Sequence, residues 1–220
     1  MPPVKKLTTL KRKLIWAGLF GIAMGYFEAA LVEYLRELYY PDGFAFPLRE
    51  IPTKFLLIEL GRECASILML MSVAALLGTC FIDRFAGFMY IFGVWDITYY
   101  LFLKLFENWP PSIFTNDLLF LIPLPWIGPV WAPVGVSIVL IWASIMIWRN
   151  LQKDIILKPT AAEWWFEVLM GLIILLSFLA GAPEVLKKEM PPPYRWYAWL
   201  FAMLFGVTIF LRAVHRSRRV

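Results

Sequence analysis

The chain has 220 residues, of which 61% are hydrophobic and 17% aromatic, and its formal net charge is +5. An average soluble domain is only about 45–50% apolar, and a soluble chain of this make-up would expose large aggregating patches. The positive charge is no nucleic-acid signature either. It sits beside hydrophobic runs, at Lys5, Lys6, Lys11, Arg12 and Lys13 in front and Arg212, Arg216, Arg218 and Arg219 behind, which is where determinants of membrane topology lie.

The sequence predicts an all-α, polytopic bundle of about six membrane spans, its surface matched to the lipid bilayer. The first span runs from about Leu14 to Tyr34. Its basic lead and apolar run resemble a signal peptide, but the apolar stretch continues into Tyr26, Phe27 and Glu28, so it reads as an uncleaved first helix. Ala17, Gly21, Gly25 and Ala29 recur every fourth residue, a smooth ridge that lets a neighbouring helix approach closely. Glu33 continues that ridge and is expected to face protein. A polar turn at Tyr40-Pro41-Asp42-Gly43 follows.

The second span is expected from about Lys54 to Gly78. A short connection holding Asp83 and Arg84 leads to the third, from about Phe85 to Phe106. Cys64 and Cys80 fall near opposite ends of one predicted helix. At about 1.5 Å rise per residue that is roughly 24 Å, too far for a disulfide, and both read as small packing residues.

From Glu107 to Pro133 the chain carries Pro110, Pro111, Pro123, Pro125, Pro129 and Pro133 around a short apolar run, Leu118 to Ile122. That run cannot cross a core about 30 Å thick. The stretch reads as a re-entrant or interfacial segment, with Thr115, Asn116 or Asp117 expected to cap a short helix. Irregular backbone at membrane depth must be shielded by protein or water, so such a segment is expected over a cavity. The remaining spans are expected from about Val130 to Trp148, Trp164 to Ala180 and Trp196 to Ala213, with Trp164, Trp165, Tyr194, Trp196, Tyr197 and Trp199 as interfacial aromatics. One integral membrane domain results: a basic N-terminus (1–13), a charged three-helix half (14–106), the proline-rich segment (107–133), an apolar three-helix half (134–213) and a basic tail (214–220).

Lys and Arg also set the orientation. With both termini cytoplasmic, the inner face gathers the two basic ends with Arg84, Arg149, Lys153 and Lys158. The outer loops hold Arg49, Lys54, Lys187, Lys188 and Arg195. The asymmetry favours this arrangement, in a bacterial or archaeal cytoplasmic membrane.

This orientation brings the charges of the first three spans to one depth. Glu28, Glu33 and Arg36 fall in the outer half of the first, and Glu59, Arg62 and Glu63 in the outer half of the second. Asp96 falls near the middle of the third and Lys104 near its outer edge. Glu59 and Glu63 are spaced i, i+4, with Arg62 between them on the same side. Asp96, Tyr100 and Lys104 form another stripe, with Tyr99 beside it. A charge at the bilayer centre costs at least about 2.5–3.5 kcal/mol, so these groups should face one another or water. Glu28, Glu33, Glu59, Glu63 and Asp96 against Arg36, Arg62 and Lys104 leave an acidic excess, suited to a proton or a cation.

The residue types exclude much chemistry. His215 is the lone histidine and lies in the basic tail, which rules out bis-histidine haem ligation and a histidine-based nucleophile system in the membrane. There is no nucleotide-binding glycine loop. No cofactor is expected, although carboxylates suit hard divalent cations, with Glu59, Glu63 and Asp96 as the ligands. Three classes of function fit: binding or transport of a small solute or ion, linked to a proton or cation; a non-catalytic subunit or assembly factor of a larger membrane complex; and a membrane enzyme acting on a lipid or isoprenoid with a carboxylate-bound metal. A transporter of this size is expected to form a homo-oligomer.

Overall fold

The computed structural model describes residues 3–219, with side chains from Leu10 onward, so Lys5 and Lys6 of the basic N-terminus lie outside the described side chains. Its elements in order are α1 (Pro3–Tyr39), α2 (Thr53–Leu77), α3 (Phe81–Glu107), β1 (Asn116–Phe120), β2 (Trp126–Pro129), α4 (Trp131–Leu151), α5 (Ala161–Leu179), α6 (Ala182–Leu186) and α7 (Trp196–Ser217). Among the described residues six helical spans are long and apolar enough to cross a membrane. The protein is therefore a multi-pass membrane protein.

Helix α3 is the hub and packs against α1, α4 and α2. The small-residue ridge of α1 makes this possible. Ala17 and Ala29 are fully buried, and a Cβ at Gly21 would stand 3.1 Å from the Ile91 carbonyl oxygen. At Gly25 a Cβ would stand 2.9 Å from the Tyr99 backbone nitrogen and run into Thr98. The neighbour here is backbone and cannot give way. Gly25→Val will therefore cost about 1–3 kcal/mol or more, read as a lower thermal midpoint of the solubilised protein. A second unit, α5 with α7, leans on the rest through β2 and α4.

One end of the bundle is fastened by polar contacts. Lys13 Nζ donates to both Asp83 oxygens at 2.5 and 2.7 Å, the Trp148 indole N–H donates to the same carboxylate at 2.9 Å, and the Thr79 amide adds a bond at 3.0 Å. Asp83 thus lies inside the first turn of α3 and not in a connection, because donors from α1 and α4, half-buried Lys13 and buried Trp148, converge on it. At the same end Arg218 donates to Asn150, and Arg216 pairs with Glu163, which also completes the capping box of α5 with Thr160. Asp83→Ala will strand Lys13 and Trp148 at once. A loss of about 3–5 kcal/mol is expected, checked by chemical or thermal unfolding in detergent.

Two further expectations are corrected. Cys80 does not end the second helix. It precedes the first turn of α3, two residues after α2 gives way at Gly78, and both cysteines are free thiols. Between α3 and α4 the chain forms an antiparallel β-hairpin where a short capped helix was expected, so the fold is mostly, not wholly, helical. Asn116 pairs with Pro129, Asp117 with Gly128 and Leu118 with Ile127, and a bulge before Phe120 brings that residue opposite Trp126. Pro123 and Pro125 forbid a helix here, whereas a tight strand connection tolerates them. Trp126 closes it with an indole bond to the Ile122 carbonyl at 2.8 Å. The hairpin packs on α5 through Trp126 stacked on Phe178, and Gly128 permits this because a Cβ there would stand 2.8 Å from the Phe178 ring.

Candidate functional site

Away from the fastened end, α1, α2, α3, the hairpin and α5 enclose a cavity of about 610 Å³. Eight of the residues grouped in the sequence line it: Glu28, Arg36, Glu59, Arg62, Glu63, Asp96, Tyr99 and Tyr100. Asp117, expected only as a helix cap, joins them. Two of the expected residues do not. Glu33 lies outside the lining, on the side of α1 near Glu107. Lys104 turns away, its ammonium bonded to the carbonyl oxygens of Asn108 and Pro110 at 3.1 and 3.0 Å, because α3 ends three residues later and presents free carbonyls there.

The two arginines are each shared between two carboxylates. Arg62 Nε reaches Glu59 at 2.6 Å within α2, and its Nη1 stands 2.6 Å from Glu28 of α1. This pairing holds α2 against α1, where the helices otherwise touch little. Arg36 pairs with Glu107 of α3 and, at 3.2 Å, with Asp117 of β1. Its guanidinium lies against the rings of Trp109 and Phe44, 4.0 and 4.4 Å from their centroids, an arrangement suited to a desolvated arginine. Tyr100 donates to the other oxygen of Asp117 at 3.1 Å. Burial pushes the Asp117 carboxyl upward, against the downward pull of Arg36 and the Tyr100 hydroxyl.

Glu63 and Asp96 are different. Glu63 is 4% exposed and accepts the Leu121 backbone N–H, 3.0 Å from each carboxylate oxygen. The contact pins the tip of the hairpin to α2. Asp96 accepts the Ser137 hydroxyl of α4 at 2.8 Å. Both donors are neutral. Among the described residues neither carboxylate is in a salt bridge, whereas Glu28, Glu59, Glu107 and Asp117 all are.

No family model matches this chain, and no curated protein or solved structure matches it either.

What the site can do follows from its inventory. The walls between the charges are apolar and aromatic, including Phe92, Trp95, Phe120, Trp126 and Phe178. Among the described residues no three ligating side chains converge as a metal centre would need, since Glu59 is committed to Arg62. Sequence reasoning missed Glu107, Ser137 and the Leu121 amide as partners. Ser137 carried a signal, as an isolated polar residue in an apolar span. Glu107 carried one too, at the end of α3 where an arginine on α1 needed a counterion. The Leu121 amide carried none, because it depends on the hairpin.

At the open end an exposed ion pair between Glu50 and Lys188 ties the α1–α2 connection to the segment after α6. Hydrogen bonding to Lys188, with its charge, holds the Glu50 carboxyl below its usual range.

Proposed function

We propose that this protein binds a small cationic solute in the cavity and couples its binding, and any passage across the membrane, to protons. In this reading both termini are cytoplasmic, as the Lys and Arg distribution favours, and the cavity lies in the outer half of a cytoplasmic membrane beneath the re-entrant hairpin. One observation carries the proposal: Arg36 and Arg62 are each neutralised by two carboxylates, and Arg49 and Lys188 are paired with Asp42 and Glu50, while Glu63 and Asp96 have neutral hydrogen-bond donors only. Two acidic groups in a low-dielectric site hold either protons or a cation, and those occupants compete. A role confined to fixing helix register would put each carboxylate against a cation of its own, as Asp83 and Lys13 are.

The probe is tetramethylammonium, a water-soluble cation with no hydrogen-bonding groups. Isothermal titration of the protein in nanodiscs should show saturable binding accompanied by proton release. Absence of binding at millimolar tetramethylammonium, with the protein folded, would sink the proposal.

A further inference from the structure

We infer, resting on that reading, that the physiological ligand is an amphipathic organic cation taken from the bilayer, which enters sideways between α2 and α5. Three features point this way. The first is the match of volume and wall. A cavity of about 610 Å³ is in the range that holds a drug-sized molecule, and a bare inorganic ion would leave most of the aromatic wall uncovered. An apolar body against Phe92, Trp95, Phe120, Trp126 and Phe178 covers that wall, with its positive centre directed to Glu63 and Asp96.

The second feature is the flank. Helices α2 and α5 both line the cavity, yet neither packs against the other. Residues 52–58 at the start of α2 are exposed without interruption, so its first turns stand clear of the bundle. Across the gap, Gly171 of α5 lines the cavity and is exposed, and a Cβ built on it would meet nothing within 4 Å. On the α2 side the exposed stretch is apolar from Phe55 to Ile58, as a surface offered to lipid would be.

The third feature is the contrast with the open end. There the exposed Glu50–Lys188 pair lines the cavity together with Arg49, which is paired with Asp42. A solute from water meets fixed charges of both signs, whereas a solute dissolved in lipid meets an apolar opening that leads to two carboxylates.

The test uses two probes of nearly equal shape and opposite charge, tetraphenylphosphonium and tetraphenylborate, with tetramethylammonium as the water-soluble reference. Binding is measured in nanodiscs and corrected for partition into empty ones. Tetraphenylphosphonium should bind at least about tenfold tighter than tetramethylammonium, because it covers the aromatic wall, and tetraphenylborate should not bind. Gly171→Trp should slow tetraphenylphosphonium association about tenfold. Leu56→Trp, across the gap, repeats this if the first variant gives little folded protein.

Equal affinity for the two cations, or tetraphenylphosphonium association unaltered by both tryptophans, would overturn the lateral, amphipathic assignment while leaving the solute site intact. Binding of tetraphenylborate as tight as that of tetraphenylphosphonium would overturn the cationic assignment. If neither cation binds, the solute reading itself fails.

Discussion

Replacing Arg62 with methionine will destabilise the folded protein by about 3–5 kcal/mol, the loss expected when one partner of a buried ion pair is removed. The stem of methionine fills much of the space, so packing changes little. What is lost is the cation that Glu28 and Glu59 share from two helices. Two carboxylates are then left on one another at membrane depth, where even a single charge costs at least about 2.5–3.5 kcal/mol. The contact between α1 and α2 is otherwise thin, so the loss falls on that seam while α2 keeps its packing against α3. Unfolding midpoints in bicelles measure the loss. Glu28→Gln and Glu59→Gln added to Arg62→Met should restore most of it, since three neutral groups can remain where one unpaired set of charges cannot. If Arg62→Met alone unfolds like the wild type, the pairing does not hold α2.

Neutralising Glu63 and Asp96 should do the reverse: leave the fold and remove the ligand. Glutamine at 63 keeps an oxygen to accept the Leu121 amide, and asparagine at 96 keeps one for Ser137. Each substitution therefore removes charge and little else. Tetramethylammonium affinity should fall about tenfold for each, near 1.4 kcal/mol, and about a hundredfold together if the two sites act independently. The proton release that accompanies binding should vanish in the double variant. In the wild type, affinity should decline as the pH is lowered, because protons and the cation compete for the same two groups. Titration calorimetry in buffers of different ionisation enthalpy separates the two effects. A double variant that folds and binds like the wild type would remove both carboxylates from the site.

The bundle itself was legible from hydrophobic run length, because lipid leaves so few solutions for a spanning chain. The placement of Glu28, Glu59, Arg62, Glu63 and Asp96 around one cavity was legible too. Charges on three helices of alternating direction come to one end of the bundle in either orientation, and helical spacing puts them on shared faces. The hairpin was less so. Leu118 to Ile122 is a short apolar run bounded by prolines, a pattern that a buried strand and a broken helix share. What decides it is pairing with Trp126–Pro129, a contact the local pattern does not encode. Asp83 was misplaced for a related reason: beside Arg84 it resembled a solvated loop, and its burial depends on Lys13 and Trp148, distant in sequence. Lys104 kept the helical spacing of Asp96 and Tyr100 but not their role. The segment that follows α3 offered its long side chain carbonyl oxygens, at Asn108 and Pro110, within hydrogen-bond reach.

If Glu63 and Asp96 are the seat of a cation, a heavy cation bound there can be located directly. Tetramethylarsonium, the arsenic counterpart of tetramethylammonium, makes that visible by anomalous diffraction from crystals soaked in it. An arsenic peak is expected inside the cavity beside these two carboxylates in the wild type, absent from Glu63→Gln/Asp96→Asn crystals of the same form. A wild-type cavity without an arsenic peak under saturating tetramethylarsonium, or a peak that persists unchanged in the double variant, would contradict it.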